Sequence, residues 1–167
     1  MENEIRNLKI TKGQFHEAEE LSQLAIKSKA HWPYDKEFIE NCKIDLIISK
    51  DLASSDFLRV ARLNNQIIGF YSFKLENDPE MEHLFVEPDF IGKGIGLKLW
   101  QHSLKFAASK GWEKFKIVAD PFAAEKFYLR VGCKLIGTFQ SPIRKDRKLP
   151  LLEYRLSNDS STLRTIL

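Results

Sequence analysis

Cysteine is nearly absent from this chain: Cys42 and Cys133 are the only two, they lack C-x-x-C spacing, and both sit inside apolar stretches. That rules out a disulfide scaffold and leaves a pair of reduced core thiols as the reading. Long hydrophobic runs are missing as well. No stretch approaches the roughly 18 apolar residues of a membrane span, and residues Met1 to Ile10 carry Glu2, Glu4, Arg6 and Lys9 where a signal peptide would need an apolar segment. A cytoplasmic protein with no membrane partner is therefore expected. Charge of one sign is lacking too: 26 Lys+Arg stand against 23 Asp+Glu, for a net charge of +3 and a pI near 8.8. Such a mild balance does not supply the concentrated basic face of a nucleic-acid binder, so no nucleic-acid partner is expected. The four histidines, His16, His31, His83 and His102, make no ligand spacing with Cys or Asp, and no metal is expected.

What remains is a chain of 167 residues, 43% hydrophobic, large enough to bury about 70% of its unfolded surface without help from a disulfide or a metal. It has no repeat and no linker. Residues 7–11 alternate as a short strand, and helical spacing follows in Phe15, Ala18, Leu21, Leu24 and Ala25. Phe38, Cys42 and Leu46 mark a second helix after Asp35. Between these helices lies Lys29-Ala30-His31-Trp32-Pro33-Tyr34-Asp35. Residues 57–63 and 66–75, rich in Val, Ile, Phe and Tyr and separated by Asn64-Asn65, predict a hairpin. A further strand over 82–86 ends at Glu87-Pro88. A helix over 94–110 follows, with Leu97, Trp100, Leu104 and Ala107 or Ala108 inward and Gly111 as its stop. A strand over 115–118 comes next, then a helix capped by Asp120-Pro121 and stopped at Gly132, and two closing strands near 134–139 and 149–156. Strands apolar on both faces imply a mixed sheet covered by helices on both sides, an α/β/α sandwich formed by residues 1–156, with 157–167 as a polar tail.

Glycine is scarce, yet three of the eight stand at alternate positions in Phe90-Ile91-Gly92-Lys93-Gly94-Ile95-Gly96, directly after a strand and at the mouth of a helix. Backbone amides without Cβ atoms above them approach an anion closely, and a helix amino terminus adds partial positive charge, which suits a pyrophosphate. It is not a P-loop, since no Gly-Lys-Ser/Thr follows. A glycine turn that merely reverses the chain is the alternative for the motif standing alone.

In context, Leu84-Phe85-Val86-Glu87-Pro88, the glycine turn, and a second block, Ala124-x-x-Phe127-Tyr128-x-x-x-Gly132-Cys133, resemble the GCN5-related N-acetyltransferase (GNAT) superfamily over about residues 5 to 156. The turn resembles its Gln/Arg-x-x-Gly-x-Gly/Ala signature, with Ile91 in place of Gln or Arg and with Lys93 and Lys98 nearby. Pro121 stands where an Asn is common, seven residues before the tyrosine, and Cys133 where a Phe follows the glycine.

The resemblance implies a mostly antiparallel mixed sheet of about seven strands with four helices. It also implies transfer of an acetyl group from acetyl-CoA, as cosubstrate, to a primary amine of a small molecule or peptide by direct attack in a ternary complex. Cofactor contacts would come from Leu84, Phe85 and Val86, from Ile91, Gly92, Lys93, Gly94, Ile95 and Gly96, and from Phe127 and Tyr128. Amides of the 84–86 strand would pair with pantetheine and stabilise the oxyanion. Tyr128 would be the acid for the thiolate, because a phenol is protonated at neutral pH. A packing tyrosine is the alternative. Glu82, with His83 close behind, is the candidate base, and alternation along a strand lets only one of them face the cleft; a solvated carboxylate and an ordinary histidine are the bland readings. His31, Trp32 and Tyr34 would line the acceptor side, cradling a cation or stacking on a planar group, unless that segment is a plain lid. The basic stretch Arg144, Lys145, Arg147 and Lys148 reads either as a site for an anion on the acceptor or as a solvated hairpin tip. A non-catalytic acyl-CoA-binding sensor is the competing function, and a homodimer is left open.

Overall fold

A computed structural model describes residues 7–122 and 125–157. Ala124 of the second motif and the tail from 158 onward lie outside the described residues. The strands are β1 (Lys9–Lys12), β2 (Leu58–Leu63), β3 (Gln66–Leu75), β4 (Pro79–Val86), β5 (Lys114–Val118), β6 (Lys134–Gln140) and β7 (Lys148–Arg155). Their hydrogen-bonded order is β1-β2-β3-β4-β5-β7-β6. β1–β2, β2–β3, β5–β7 and β6–β7 are antiparallel, and β4–β5 is parallel, with Glu80 opposite Lys116 and Met81 opposite Ile117. The helices are α1 (Ala18–Ala30), α2 (Lys36–Cys42), α3 (Lys50–Ala53), α4 (Ile95–Ser109) and α5 (Glu125–Arg130). The mixed, mostly antiparallel seven-stranded sheet matches the expectation. The helix number does not, because α3 is an extra turn started by Ser49, whose side chain accepts the Leu52 amide at 3.1 Å.

The chain forms two compact units, one running through Phe73 and including His83–Leu99, the other made of Lys74–Glu82 and the chain from Trp100 onward. In the first, the hairpin turns through Asn64 and Asn65 at φ 49° and 67°, the left-handed conformation that asparagine tolerates. Its core includes Leu21, Phe38, Leu58, Ile68 and Phe70, and in the first turns of α4 Ile95 and Leu99. The sequence pattern placed Leu97 inward instead, but it is exposed. At 100° per residue the buried positions of α4 span about half the helix, from Ile95 round to Leu104, and Leu97 falls just beyond that edge. Phe15, the first member of the expected helical face, is exposed for a related reason: it sits in a 3-10 turn (Phe15–Glu17) ahead of α1.

In the second unit Trp100, only 2% exposed, is the hub, with ring centroids 5.6 Å from Phe115, 6.3 Å from Phe127, 5.7 Å from Tyr128 and 5.2 Å from Tyr154. Aromatic pairs at these separations add to simple burial, so the α5 tyrosine is held from several sides. Asp120 stands ahead of α5, where the sequence placed a cap, and residues 123 and 124 between them lie outside the described residues. Asp120 Oδ1 accepts the Phe122 amide at 3.0 Å and the Asp120 carbonyl accepts the Glu125 amide at 3.1 Å, so Asp120 organises a turn ahead of a helix that starts at Glu125. Gly132, at φ 100°, ends that helix. Cys42 and Cys133 are buried thiols, and burial pushes the Cys133 thiol up to about 12.

Candidate active site

β4 runs into a 3-10 turn (Pro88–Phe90) and then into the glycine turn. Gly92 and Gly94 have φ of 79° and 84°, and a Cβ added at either would meet nothing within 4 Å. These glycines are therefore required by backbone conformation, and the open space above them is what a bound group would use. α4 begins at the next residue and is 15 residues long, so its first-turn amides and their partial charge face the same turn. Lys93 is exposed and its ammonium lies 5.2 Å from the Phe90 ring centroid, while Ile91 is half-buried. The Glu87 amide donates to the Ile68 carbonyl at 2.9 Å, fixing the end of β4 on β3.

Along β4, burial alternates: Met81 and His83 are buried, Glu82 exposed. The His83 Nδ1 and the Ser72 Oγ are 2.6 Å apart, and the imidazole packs in a triangle with the Phe70 and Phe85 rings, 6.0 Å from each, which are 5.8 Å from one another. Glu82 keeps access to water, yet desolvation raises its carboxyl, with Lys74 lowering it and Glu80 and Glu76 raising it further.

Tyr128 is a buried residue of the second unit with a polar end. The residue is 4% exposed, and its hydroxyl donates to the Met81 sulfur at 3.7 Å. Burial, and secondarily Cys133, push the phenol above its ordinary range, so it stays protonated as pH rises. A thioether is a weak acceptor. Exchanging it for an anionic sulfur would strengthen the hydrogen bond, since charge-assisted bonds are about twice as strong as neutral ones.

The segment before α2 is built around its own cation. The Lys29 ammonium sits 5.0 Å from the Tyr34 ring centroid, Tyr34 packs on Phe38 at 4.7 Å, and Asp35 caps α2 by accepting the Phe38 amide at 2.8 Å. That ring of Tyr34 already carries a cation. His31, exposed, and Trp32, half-buried, contact each other edge to face at 5.4 Å. Lys27, in the last turn of α1, reaches Glu87 at 3.7 Å, which brings this aromatic segment and the end of β4 to one end of the first unit. Among the described residues no group of three His, Cys, Asp or Glu is placed to hold a metal ion, and no helix is long and apolar enough to cross a membrane.

A family model described as an acetyltransferase (GNAT) domain matches residues 17–156. The chain belongs to the GNAT acetyltransferase family. Solved structures give this GNAT chain the same fold. The PaiA N-acetyltransferase of Thermoplasma acidophilum, in complex with coenzyme A, is 22% identical over 89% of this chain and 99% of its own, with a TM-score of 0.71. A GCN5-related N-acetyltransferase of Rhodopseudomonas palustris is 20% identical over 89% and 94%, with a TM-score of 0.75. Naa50 of Arabidopsis thaliana, in complex with the bisubstrate analogue CoA-Ac-MVNAL, is 18% identical over 90% and 99%, at 0.63. No curated protein sequence matches the chain.

Of the residues singled out from sequence, the first unit of the GNAT chain holds His83 to Val86, the glycine turn and the His31 to Tyr34 segment; the second holds Glu82, Phe127 and Tyr128. Two partners were missed by sequence reasoning, and the pairing of two further residues was not foreseen. Met81 and Ser72 are the partners of Tyr128 and His83. Ser72 had a signal, a hydroxyl inside the apolar run Ile67 to Phe73, and Met81 had none. Asp120 was assigned to a helix cap, and its partner Arg147 to an undivided basic stretch, although they form an ion pair at 3.1 Å.

Proposed function

We propose that this GNAT protein moves an acetyl group from acetyl-CoA to a primary amine of a small molecule or peptide by direct attack in a ternary complex. The observation that carries this reading is the glycine turn: two left-handed glycines with open space above them, directly after β4 and at the amino end of a long helix. It suits a pyrophosphate through backbone donors alone, so Ile91 in place of a polar residue does not remove the site. The coenzyme A complex of the Thermoplasma protein and the CoA-peptide analogue on the Arabidopsis protein support the donor and a peptide amine as one acceptor class.

In the proposed step the amine nitrogen attacks the thioester carbonyl carbon, the C–N bond forms, and the C–S bond breaks with its electron pair leaving on sulfur. Tyr128 supplies the proton that converts the leaving thiolate to a thiol. The ammonium form of the acceptor surrenders one proton before attack and the nitrogen a second as the amide forms. One of these restores the phenol and one is released, so the products are an amide, free CoA and a proton. Amides of the 84–86 segment stabilise the oxyanion.

Glu82 and His83 divide the base role by a pH test. A carboxylate base must be ionised, so with Glu82 as base the activity rises with pH along an acid limb displaced upward from the ordinary carboxylate range, in the direction desolvation gives it. Glu82→Gln is then expected to abolish that limb and lower kcat/KM by about 10²-fold or more. Survival of the limb in Glu82→Gln and its loss in His83→Asn would assign the base to His83 instead.

Incubation with acetyl-CoA and a panel of polyamines, amino acids, aminoglycosides and peptides, following free CoA, tests the activity. CoA at about 100 times its Kd should stabilise the fold by about 2.7 kcal/mol, roughly 5–10 °C in Tm. Stabilisation without turnover on the whole panel would favour the sensor reading; neither result would leave the acyl-CoA site unsupported.

A further inference from the structure

The basic stretch after β6 is wired, not loose. The Ser141 amide donates to the Arg147 carbonyl at 2.9 Å and the Arg147 amide to the Arg144 carbonyl at 3.1 Å. The Gln140 side-chain amide donates to the carbonyls of Arg144, Lys145 and Arg147 at 3.3, 2.8 and 3.0 Å. Ser141 is buried, and its hydroxyl accepts the amides of Ile143 and Arg144 at 3.3 and 3.4 Å. A second tie comes from outside the loop. The Arg147 guanidinium meets Asp120 Oδ2 at 3.1 Å with the side chains only 16% and 15% exposed, while Asp120 Oδ1 holds the Phe122 amide. A pair this buried costs desolvation on both sides, and removing either partner strands the other charge. Its geometric effect is to fasten the 141–147 loop to the end of β5.

The end of β5 is a telling place. Ile117 pairs with Met81, on whose sulfur the Tyr128 hydroxyl rests. Asp120 lies three residues further on, two past the end of β5. The Ala119 amide donates to the Pro150 carbonyl at 2.9 Å, which keeps the exit of the loop at this same end. Open α/β sheets bind ligands outside the carboxyl ends of their parallel strands. With Arg147 turned to Asp120, the loop presents Arg144 and Lys145 as exposed cations on a fixed backbone.

We propose that Asp120 and Arg147 are a positioning pair that sets the 141–147 loop, so that Arg144 and Lys145 read a carboxylate or phosphate on the acceptor amine. The inference rests on the acetyl-transfer reading and narrows its substrate class to anionic amines. The test uses the full chain and matched pairs of probes: 4-aminobutyrate against butylamine, phosphoethanolamine against ethanolamine, and a peptide with two glutamates after its amino-terminal serine against one with two glutamines. Steady-state rates with acetyl-CoA are expected to show KM at least tenfold lower for the anionic member of one or more pairs. The pair that responds distinguishes a free metabolite from a peptide. Arg144→Gln with Lys145→Gln should erase the preference with kcat nearly unchanged. Asp120→Asn should erase it too and speed amide hydrogen exchange across 141–147, whereas Asp120→Glu should restore part of the preference. A purely structural role would lower Tm without separating the two members of a pair. Equal KM within every pair, or a preference that survives Asp120→Asn, overturns the inference. Should no amine be turned over although CoA stabilises the protein, the transfer reading fails by itself. Calorimetry of the same pairs on the CoA-loaded protein then decides the loop: tighter binding of the anionic members upholds it and equal binding overturns it.

Discussion

Tyr128→Phe is expected to lower kcat by about 10²- to 10³-fold, worth roughly 2.7–4 kcal/mol on the barrier, while leaving stabilisation by CoA intact. The substitution suits the question because the ring stays. The Trp100 and Phe127 rings, with centroids 5.7 and 5.3 Å away, pack on the ring that the substitution keeps, and the hydrogen bond lost is the weak one to the Met81 sulfur. A change in stability of about 1 kcal/mol or less follows from that, far smaller than the kinetic effect. The pH dependence has a definite sign. The acid must be protonated to act, burial raises the phenol, and so the wild-type alkaline limb should lie above the usual tyrosine range, with activity falling as pH rises through it. In the phenylalanine variant that limb should be missing from the residual rate. A kcat within threefold of wild type, with the alkaline limb unchanged, would reduce Tyr128 to a packing residue and pass the thiolate proton to water.

What could be read beforehand and what could not divide along a physical line. Local conformational demands leave marks on sequence. Asn64-Asn65 takes the left-handed turn its composition requires, Gly92 and Gly94 take theirs, and Gly132 ends α5. Apolar and β-branched runs placed every described strand within three residues at its ends, in β3, buried on both faces, and in β6, exposed along most of its length. Partnerships across elements leave no such mark. Nothing in a one-dimensional pattern tells that one oxygen of Asp120 turns to Arg147, 27 positions away, while the other holds the turn before the next helix. The same limit applies to the tyrosine. Its motif pointed to Tyr128, but the sulfur that receives its hydroxyl comes from a strand 47 positions earlier. Lys29 is the reverse case: it lies within the aromatic segment itself, yet only coordinates show its ammonium against the Tyr34 ring, where an acceptor cation was expected.

Gly69→Val should combine a loss of stability with a loss of cofactor affinity, and the two together separate it from an ordinary core defect. A Cβ at position 69 of β3 would stand 2.8 Å from the Phe85 carbonyl oxygen, 3.0 Å from Leu99 Cδ1 and 3.6 Å from Ile95 Cγ2. The leucine methyl can rotate away; the carbonyl oxygen belongs to the backbone of β4 and cannot move alone. Two effects oppose each other. Replacing glycine reduces the freedom of the unfolded chain, which favours the variant by about 0.4–1 kcal/mol. Overpacking a close-packed interior costs about 1–3 kcal/mol, and here it forces a backbone shift, so the upper part of that range applies and the clash wins. A fall in Tm of roughly 4–10 °C is expected. The atoms that must yield are those of the 84–86 segment and the first turns of α4, the two pieces that flank the glycine turn. Displacement there should raise KM for acetyl-CoA about tenfold or more and shrink the CoA-induced rise in Tm, with kcat at saturating acetyl-CoA less affected, because Tyr128 packs on Trp100 and Phe127 in the other unit. Alanine at the same position carries the same Cβ and should show a weaker version of both effects. An unchanged KM for acetyl-CoA in a variant that has lost several degrees of stability would mean that the 84–86 backbone is not part of the cofactor site.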